Sequence, residues 1–313
     1  MKRRPQKVVP DLYLEGLFLS PDVGPKVRFL ISLVLIAVFT AVSQCGSKSN
    51  VEQVADSIPL PDSGPEVDPG VDFESGPDAV CPAGADNYEV PEGCNPLAAE
   101  WDCLLPYPSD FFLVADPAMP SGRRLVVTGA ARLKRPDGRF VEPYLVHPAD
   151  GFSHHPPILA LFPGGVDPDN LVFHTGDVSA SLGPDSTTVL LEADNGERIL
   201  HFAELDPRAE NDAHRALLIR PLVRLRNHRR YIVAIRGLKD HAGTLIDAPE
   251  GFRRIRDGEA NCDPVLGPIA QRYESQLFPF LQAAEVDRSD LQLAWEFSTQ
   301  TETNVTGDML AMR

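Results

Sequence analysis

The chain has 313 residues, a formal net charge of −16 and a pI near 4.9. That acidity excludes the basic face a nucleic-acid partner needs. Its 30 prolines, roughly twice the usual share, predict many loops and edges and few long helices.

Residues 1–44 read as leader and signal peptide. Phe29 to Val42 is an uncharged apolar run of 14 residues, shorter than the roughly 20 a membrane span needs. It suits a signal h-region, with Lys26 and Arg28 as a small positive n-region. Upstream, Lys2, Arg3 and Arg4 are followed by Asp11, Glu15 and Asp22, an acidic stretch foreign to an n-region. Translation is therefore expected to begin later, near Val27. Val42-Ser43-Gln44-Cys45-Gly46 resembles a bacterial lipobox, with Gln44 where a small residue is usual. It makes Cys45 the lipidation candidate and the lipid the membrane partner. Cleavage after Ala41-Val42-Ser43 with simple secretion, or an uncleaved anchor, are the rivals. All three place the body outside the cytoplasm, in the cell envelope or secreted.

Residues 45–92 read as a disordered acidic tether. Gly46 to Glu92 holds 7 prolines, 11 acidic residues and one lysine. It has too little apolar surface to offset its chain entropy, and its charge and prolines extend it. Cys45 aside, the cysteines are Cys81, Cys94, Cys103 and Cys262. An even number in an exported chain predicts two disulfides, with three connectivities open. Cys94 and Cys103 flank the opening of the folded part and Cys262 lies past its end, so a bridge joining the two ends is one expectation. No paired close spacing favours zinc.

Residues 93–258 read as one antiparallel β-sandwich. Its opening, Glu100 to Leu113, packs Trp101, Leu104, Leu105, Tyr107, Phe111 and Phe112 into a short run. Pro106 and Pro108 hold that run extended. Strands are predicted at Arg123–Thr128, Pro157–Phe162, Thr187–Glu192, Arg198–Phe202, Arg215–Arg220 and Arg230–Ile235. Asp194-Asn195-Gly196 predicts a hairpin between the third and fourth. The absence of intervening helices favours a sandwich over an alternating α/β fold.

Residues 259–313 read as a helix and a strand opening a further, truncated domain. Ile269, Tyr273, Leu277, Phe280 and Ala284 recur at helical steps. Pro268 suits the first turn and Pro279 ends or kinks the helix. Leu291 to Phe297 alternates like a strand with one buried face, beginning a new sheet.

No catalytic residue is assigned. Gly151-Phe152-Ser153-His154-His155 lacks the final glycine of a nucleophile elbow, and Pro156-Pro157 opposes the helix that must follow one. Ser153 reads as a turn residue, and His154 and His155 as loop histidines. Asp167-Pro168-Asp169-Asn170 and Asp206-Pro207-Arg208 read as acidic turns in preference to calcium ligands. Arg220, Arg224, Arg226, Arg229 and Arg230 read as a solvated face balancing nearby acids, with an anion site as the minority reading. No cofactor and no metal is assigned.

Several stretches together resemble the N-terminal region of exported bacterial lipases of the virulence-factor type. They are Leu105 to Phe112, Pro148 to Ser153, Gly165-Val166-Asp167, Leu218 to Leu222, Tyr231 to Gly243 and Trp295 to Gln300. The resemblance covers roughly residues 94–310. It implies an Ig-like accessory domain that precedes an α/β-hydrolase domain, with the family's catalytic residues beyond Arg313. The sequence thus predicts a mainly β protein: an Ig-like sandwich, one helix and a short strand. Its expected role is the non-catalytic part of a lipase or esterase, partnered by a hydrolase domain. The alternative is a stand-alone surface module that binds or adheres to a ligand.

Overall fold

Tyr231-Ile232-Val233-Ala234-Ile235 has no polar residue to send to solvent, and the fold is arranged around it. The computed structural model describes residues 87–313, Glu142 excepted, all within a unit running from Ser75 to Arg313. The readings at the leader, Cys45, Cys81 and residues 45–86 of the tether lie outside the described residues.

Among the described residues there are eight strands, paired antiparallel in three sheets. A small hairpin joins β1 (Leu113–Ala115) to β2 (Arg123–Leu125). One sheet has the order β3 (Ile158–Leu161), β6 (Ala216–Pro221), β5 (His201–Leu205). The other has the order β4 (Thr188–Glu192), β7 (Arg230–Arg236), β8 (Leu291–Ser298). The described residues also form five α-helices: α1 (Pro143–Val146), α2 (Glu250–Arg256), α3 (Leu266–Gln276), α4 (Phe278–Ala283) and α5 (Glu302–Ala311). No helix among the described residues is long and apolar enough to cross a membrane. Both larger sheets send side chains into one core, including Ile158, Ile219, Leu190, Tyr231 and Trp295.

Four expectations are corrected. First, β4 and β5 do not form a hairpin ladder. The Asp194-Asn195-Gly196 turn is present, with Gly196 at φ +70° and Ile199 N–H donating to Leu190 O at 2.8 Å. The ladder then stops, because β4 offers its long edge to β7 and β5 pairs with β6. His201 marks the switch: it is wholly buried and bonded to β4 through Thr188, yet its own strand runs in the other sheet.

Second, β8 opens no new sheet. It pairs with β7 from Leu291 to Ser298 and is buried on both faces, not one. The alternation misleads because its polar residues are buried with partners. Gln292 accepts from Leu238 N–H at 2.7 Å and donates to Leu238 O at 2.9 Å. Glu296 accepts from Arg230 at 2.7 Å and from Arg272 of α3.

Third, the helical content exceeds the single helix expected. The predicted helix breaks at Leu277 into α3 and α4, with Pro279 in the first turn of α4. α2 escapes detection because Gly251 sits inside it. A methyl there would overlap the Pro96 carbonyl oxygen, so the close approach of residues 95–97 requires the glycine.

Fourth, Cys94 pairs with Cys103, with Cα atoms 4.2 Å apart, so neither bridges to the far end of the domain. Asn95 N–H also donates to Cys103 O at 2.8 Å, which already brings the two ends of that loop together. Cys262 is disulfide-bonded as well. The last tether residues belong to the body: Tyr88 N–H donates to Asp263 and Ala130 N–H to Glu92 O.

The opening run does plug into the core. Trp101 packs on Phe162 at 5.6 Å between ring centroids, and Tyr107 exchanges two backbone hydrogen bonds with Leu159. The run is clasped to the end of β8. Trp295 Nε1–H donates to Pro108 O at 2.7 Å, and buried Asp110 accepts from Ser298 N–H and Oγ–H, each at 2.7 Å. A second clasp joins residues 150–152 to 298–301. Phe152 N–H donates to Ser298 O, and buried Asp150 accepts from the Thr301 amide and hydroxyl.

Candidate functional site

Ser153 and His154 each have a structural occupation, and His155 is exposed. Ser153 is exposed and accepts from His155 N–H at 3.2 Å. His154 is buried, with Nε2 3.1 Å from Gln300 O, so it faces the second clasp and not Ser153. Burial, then the nearby Arg224 charge, hold its pKa below the usual histidine value. The two residues share no hydrogen bond.

One hydroxyl–imidazole contact does exist. Thr188 Oγ1 lies 2.9 Å from His201 Nε2, and His201 Nδ1 lies 2.7 Å from Ile199 O. The carbonyl can only accept, so Nδ1 carries the proton and Nε2 accepts from the threonine. Burial lowers the His201 pKa. Neither residue has any exposed surface, so no substrate reaches them and the pair ties β4 to β5. His241 Nε2 sits 3.2 Å from Asp212 Oδ2 at the surface. Among the described residues no hydroxyl or thiol is hydrogen-bonded to that imidazole.

The acidic turns serve themselves. Asp167 accepts from Asp169 N–H at 3.1 Å and Asp206 from Arg208 N–H at 2.9 Å. Among the described residues no three His, Cys, Asp or Glu side chains come together as metal ligands. The arginine run is occupied too. Arg220 pairs with Glu204, Arg226 and Arg229 with buried Glu192, and Arg230 with Glu296, while Arg224 donates to Asn227. The balancing-face reading accounts for these contacts without an anion.

The site-like feature lies elsewhere, and sequence reasoning missed it. Leu104 and Tyr107 of the opening run, Arg124–Val127 around β2, Leu159 of β3, and Leu133, Val141, Tyr144 and Leu145 enclose a pocket of 440 Å³. Its floor is firm, since Leu125 is 2% exposed. Its lip is apolar and wet: Leu133 is 54% exposed and Leu145 75%. Two of its lining side chains are hydrogen-bonded phenols, Tyr107 and Tyr144, 3.0 Å apart. Burial, then the Tyr144 hydroxyl, push the Tyr107 pKa up, so it stays a neutral donor. At the rim Arg124 is paired with Asp116 at 3.2 Å. The signal available in the sequence was the apolar cluster Leu133, Phe140, Val141, Tyr144, Leu145, Val146 outside any predicted strand.

A second apolar surface lies on α5, which has no buried residue. Thr301, Asn304 and Asp308 tie it to the body. Thr301 bonds Asp150, Asn304 donates to Pro148 O at 3.1 Å, and Asp308 approaches His147 at 3.7 Å. Val305, Met309 and Met312 recur on an adjoining face and stay in solvent. Val146, 74% exposed, immediately precedes the His147 that α5 approaches. No family model, no curated protein and no solved structure matches this chain.

Proposed function

We propose that this chain is the non-catalytic, Ig-like sandwich portion of an exported lipase- or esterase-like hydrolase, carried on an acidic tether from a lipidated Cys45. The motif order from Leu105 to Gln300 motivates the family. One observation supports the non-catalytic part of the reading: the hydroxyl–imidazole contact of Thr188 and His201 is sealed in the core, and Ser153 and His154 share no bond. The exposed stripe of Val305, Met309 and Met312 is the docking face this reading assigns to a hydrolase domain, since soluble surfaces seldom leave such faces uncovered.

The test is p-nitrophenyl butyrate hydrolysis by the purified chain. The expected rate is the buffer rate, unchanged by Ser153→Ala; turnover that Ser153→Ala abolishes refutes the proposal. Radiolabelled palmitate incorporation, lost in Cys45→Ser, tests the anchor. The second reading, a stand-alone surface-binding module, is favoured by the apolar pocket. A monomeric, cooperatively unfolding chain that retains no hydrolase from its native envelope extract supports it.

A further inference from the structure

We infer that the pocket between the opening run, β2, β3 and the side chains of Leu133, Val141, Tyr144 and Leu145 binds a small neutral apolar molecule carrying one hydrogen-bond acceptor, such as a carbonyl or ester oxygen. The inference stands on this pocket and holds whether or not the chain serves a hydrolase.

Size comes first. A water molecule's share of liquid volume is about 30 Å³, so 440 Å³ accommodates roughly fifteen heavy atoms. That is within the range of small-molecule pockets. The lining sets the chemistry. Leu104, Leu125, Val126, Val127, Leu133, Val141, Leu145 and Leu159 offer only carbon, which favours an aliphatic or aromatic body.

The phenol pair sets the polar requirement. Two hydroxyls carry two protons, and one is used between Tyr107 and Tyr144. Among the described residues no protein acceptor takes the other. A ligand oxygen placed there accepts it. Charge is disfavoured: burial keeps the Tyr107 phenol protonated, and the cation lining the pocket, Arg124, is already paired with Asp116. Ligand entry also covers Leu133, Val141 and Leu145, which otherwise lie in water.

The probe is 6-propionyl-2-dimethylaminonaphthalene, a neutral fluorophore with a single carbonyl whose emission shifts to the blue in apolar surroundings. Titrated with the whole purified chain, it is expected to bind one-to-one with a blue shift. Affinities for ligands of this size span on the order of 10 µM to 1 mM. Val127→Trp, which fills the pocket, is expected to weaken binding at least tenfold. Leu133→Trp, at the exposed lip, carries the same expectation with no risk to the core. Tyr144→Phe should weaken binding several-fold and leave the chain folded. Met309→Lys, on α5, should change nothing. Absence of saturable binding, or binding that survives both tryptophan variants, overturns the inference. So does binding lost with Met309→Lys. None of these outcomes bears on ester hydrolysis.

Discussion

Two buried polar side chains test how the body is tied together. Asp110 is 4% exposed and accepts from Ser298 N–H, Ser298 Oγ–H and Arg123, the last at 3.1 Å. Asp110→Ala strands these donors in the clasp between the opening run and β8. Orphaned buried donors cost about 1–3 kcal/mol each, while the Arg123 side chain, 36% exposed, can turn to water. A loss of about 3 kcal/mol is expected, read as a lower urea midpoint, with Asp110→Asn losing less because it can still accept from Ser298. An unchanged midpoint removes the clasp from the account. His201 gives a pH-dependent counterpart. Its folded pKa lies below the unfolded value near 6.5, so the unfolded chain binds the extra proton first. Stability is then complete above about pH 6.5 and falls as pH drops toward the folded pKa. His201→Gln should flatten the melting temperature between pH 7 and 5 relative to the parent. Equal slopes in the two proteins exclude His201 as the source.

At the scale of elements, Gly251 separates local propensity from tertiary contact. Propensity alone predicts that Gly→Ala inside α2 stabilises by up to about 1 kcal/mol. The methyl, however, meets the Pro96 carbonyl, and Phe252 N–H donates to Leu97 O at 2.9 Å alongside. The expected result is a lower melting temperature for Gly251→Ala; a higher one means the 95–97 segment moves aside freely. The same contrast explains what could be read from sequence. β4, β6 and β7 are legible because runs such as Thr188–Glu192 and Tyr231–Ile235 are dense in β-branched residues and end at turn signals. Their pairing is not legible: the Asn195-Gly196 signal is genuine, yet the partner of β4 lies beyond His201, at Tyr231. β8 is legible as a strand, but its alternation hides a two-sided burial that depends on Arg230, Arg272 and Leu238 to satisfy Glu296 and Gln292. α5 carries no buried face, and its apolar period is only Val305, Met309 and Met312, with the poor helix former Gly307 between them. The pocket depends on Leu104, Leu125, Leu145 and Leu159 meeting in space, which no local pattern encodes.

Across the whole molecule the excess of acid shapes the response to pH. Carboxylates in the body repeatedly meet guanidinium groups: Glu250 with Arg253 and Arg254, Glu192 with Arg226, Glu296 with Arg230 and Arg272. Hydrogen bonds from Arg253 hold Glu250 near a pKa of about 2 despite an opposing desolvation, and Arg254 adds to them. Asp257 is lowered by Arg256, and Asp263 is lowered by the amides of Leu266, Tyr88 and Val265 although burial opposes it. Each of these groups binds its proton more readily when unfolded, at the ordinary 3.9 to 4.3. Their contribution is therefore present above about pH 4.5 and lost as pH falls toward 2. Glu250 also joins α2 to the opening run, its backbone amide donating to the Glu100 carboxylate at 2.5 Å. The melting temperature should hold from pH 6.5 to 5 once the contributions of the two buried histidines are removed by His201→Gln and His154→Gln, then fall steeply between pH 4.5 and 2.5. Adding Glu250→Gln should make that fall shallower and lower the plateau above it. A chain that keeps its full melting temperature at pH 2.5 leaves the paired carboxylates without a role in holding the body together.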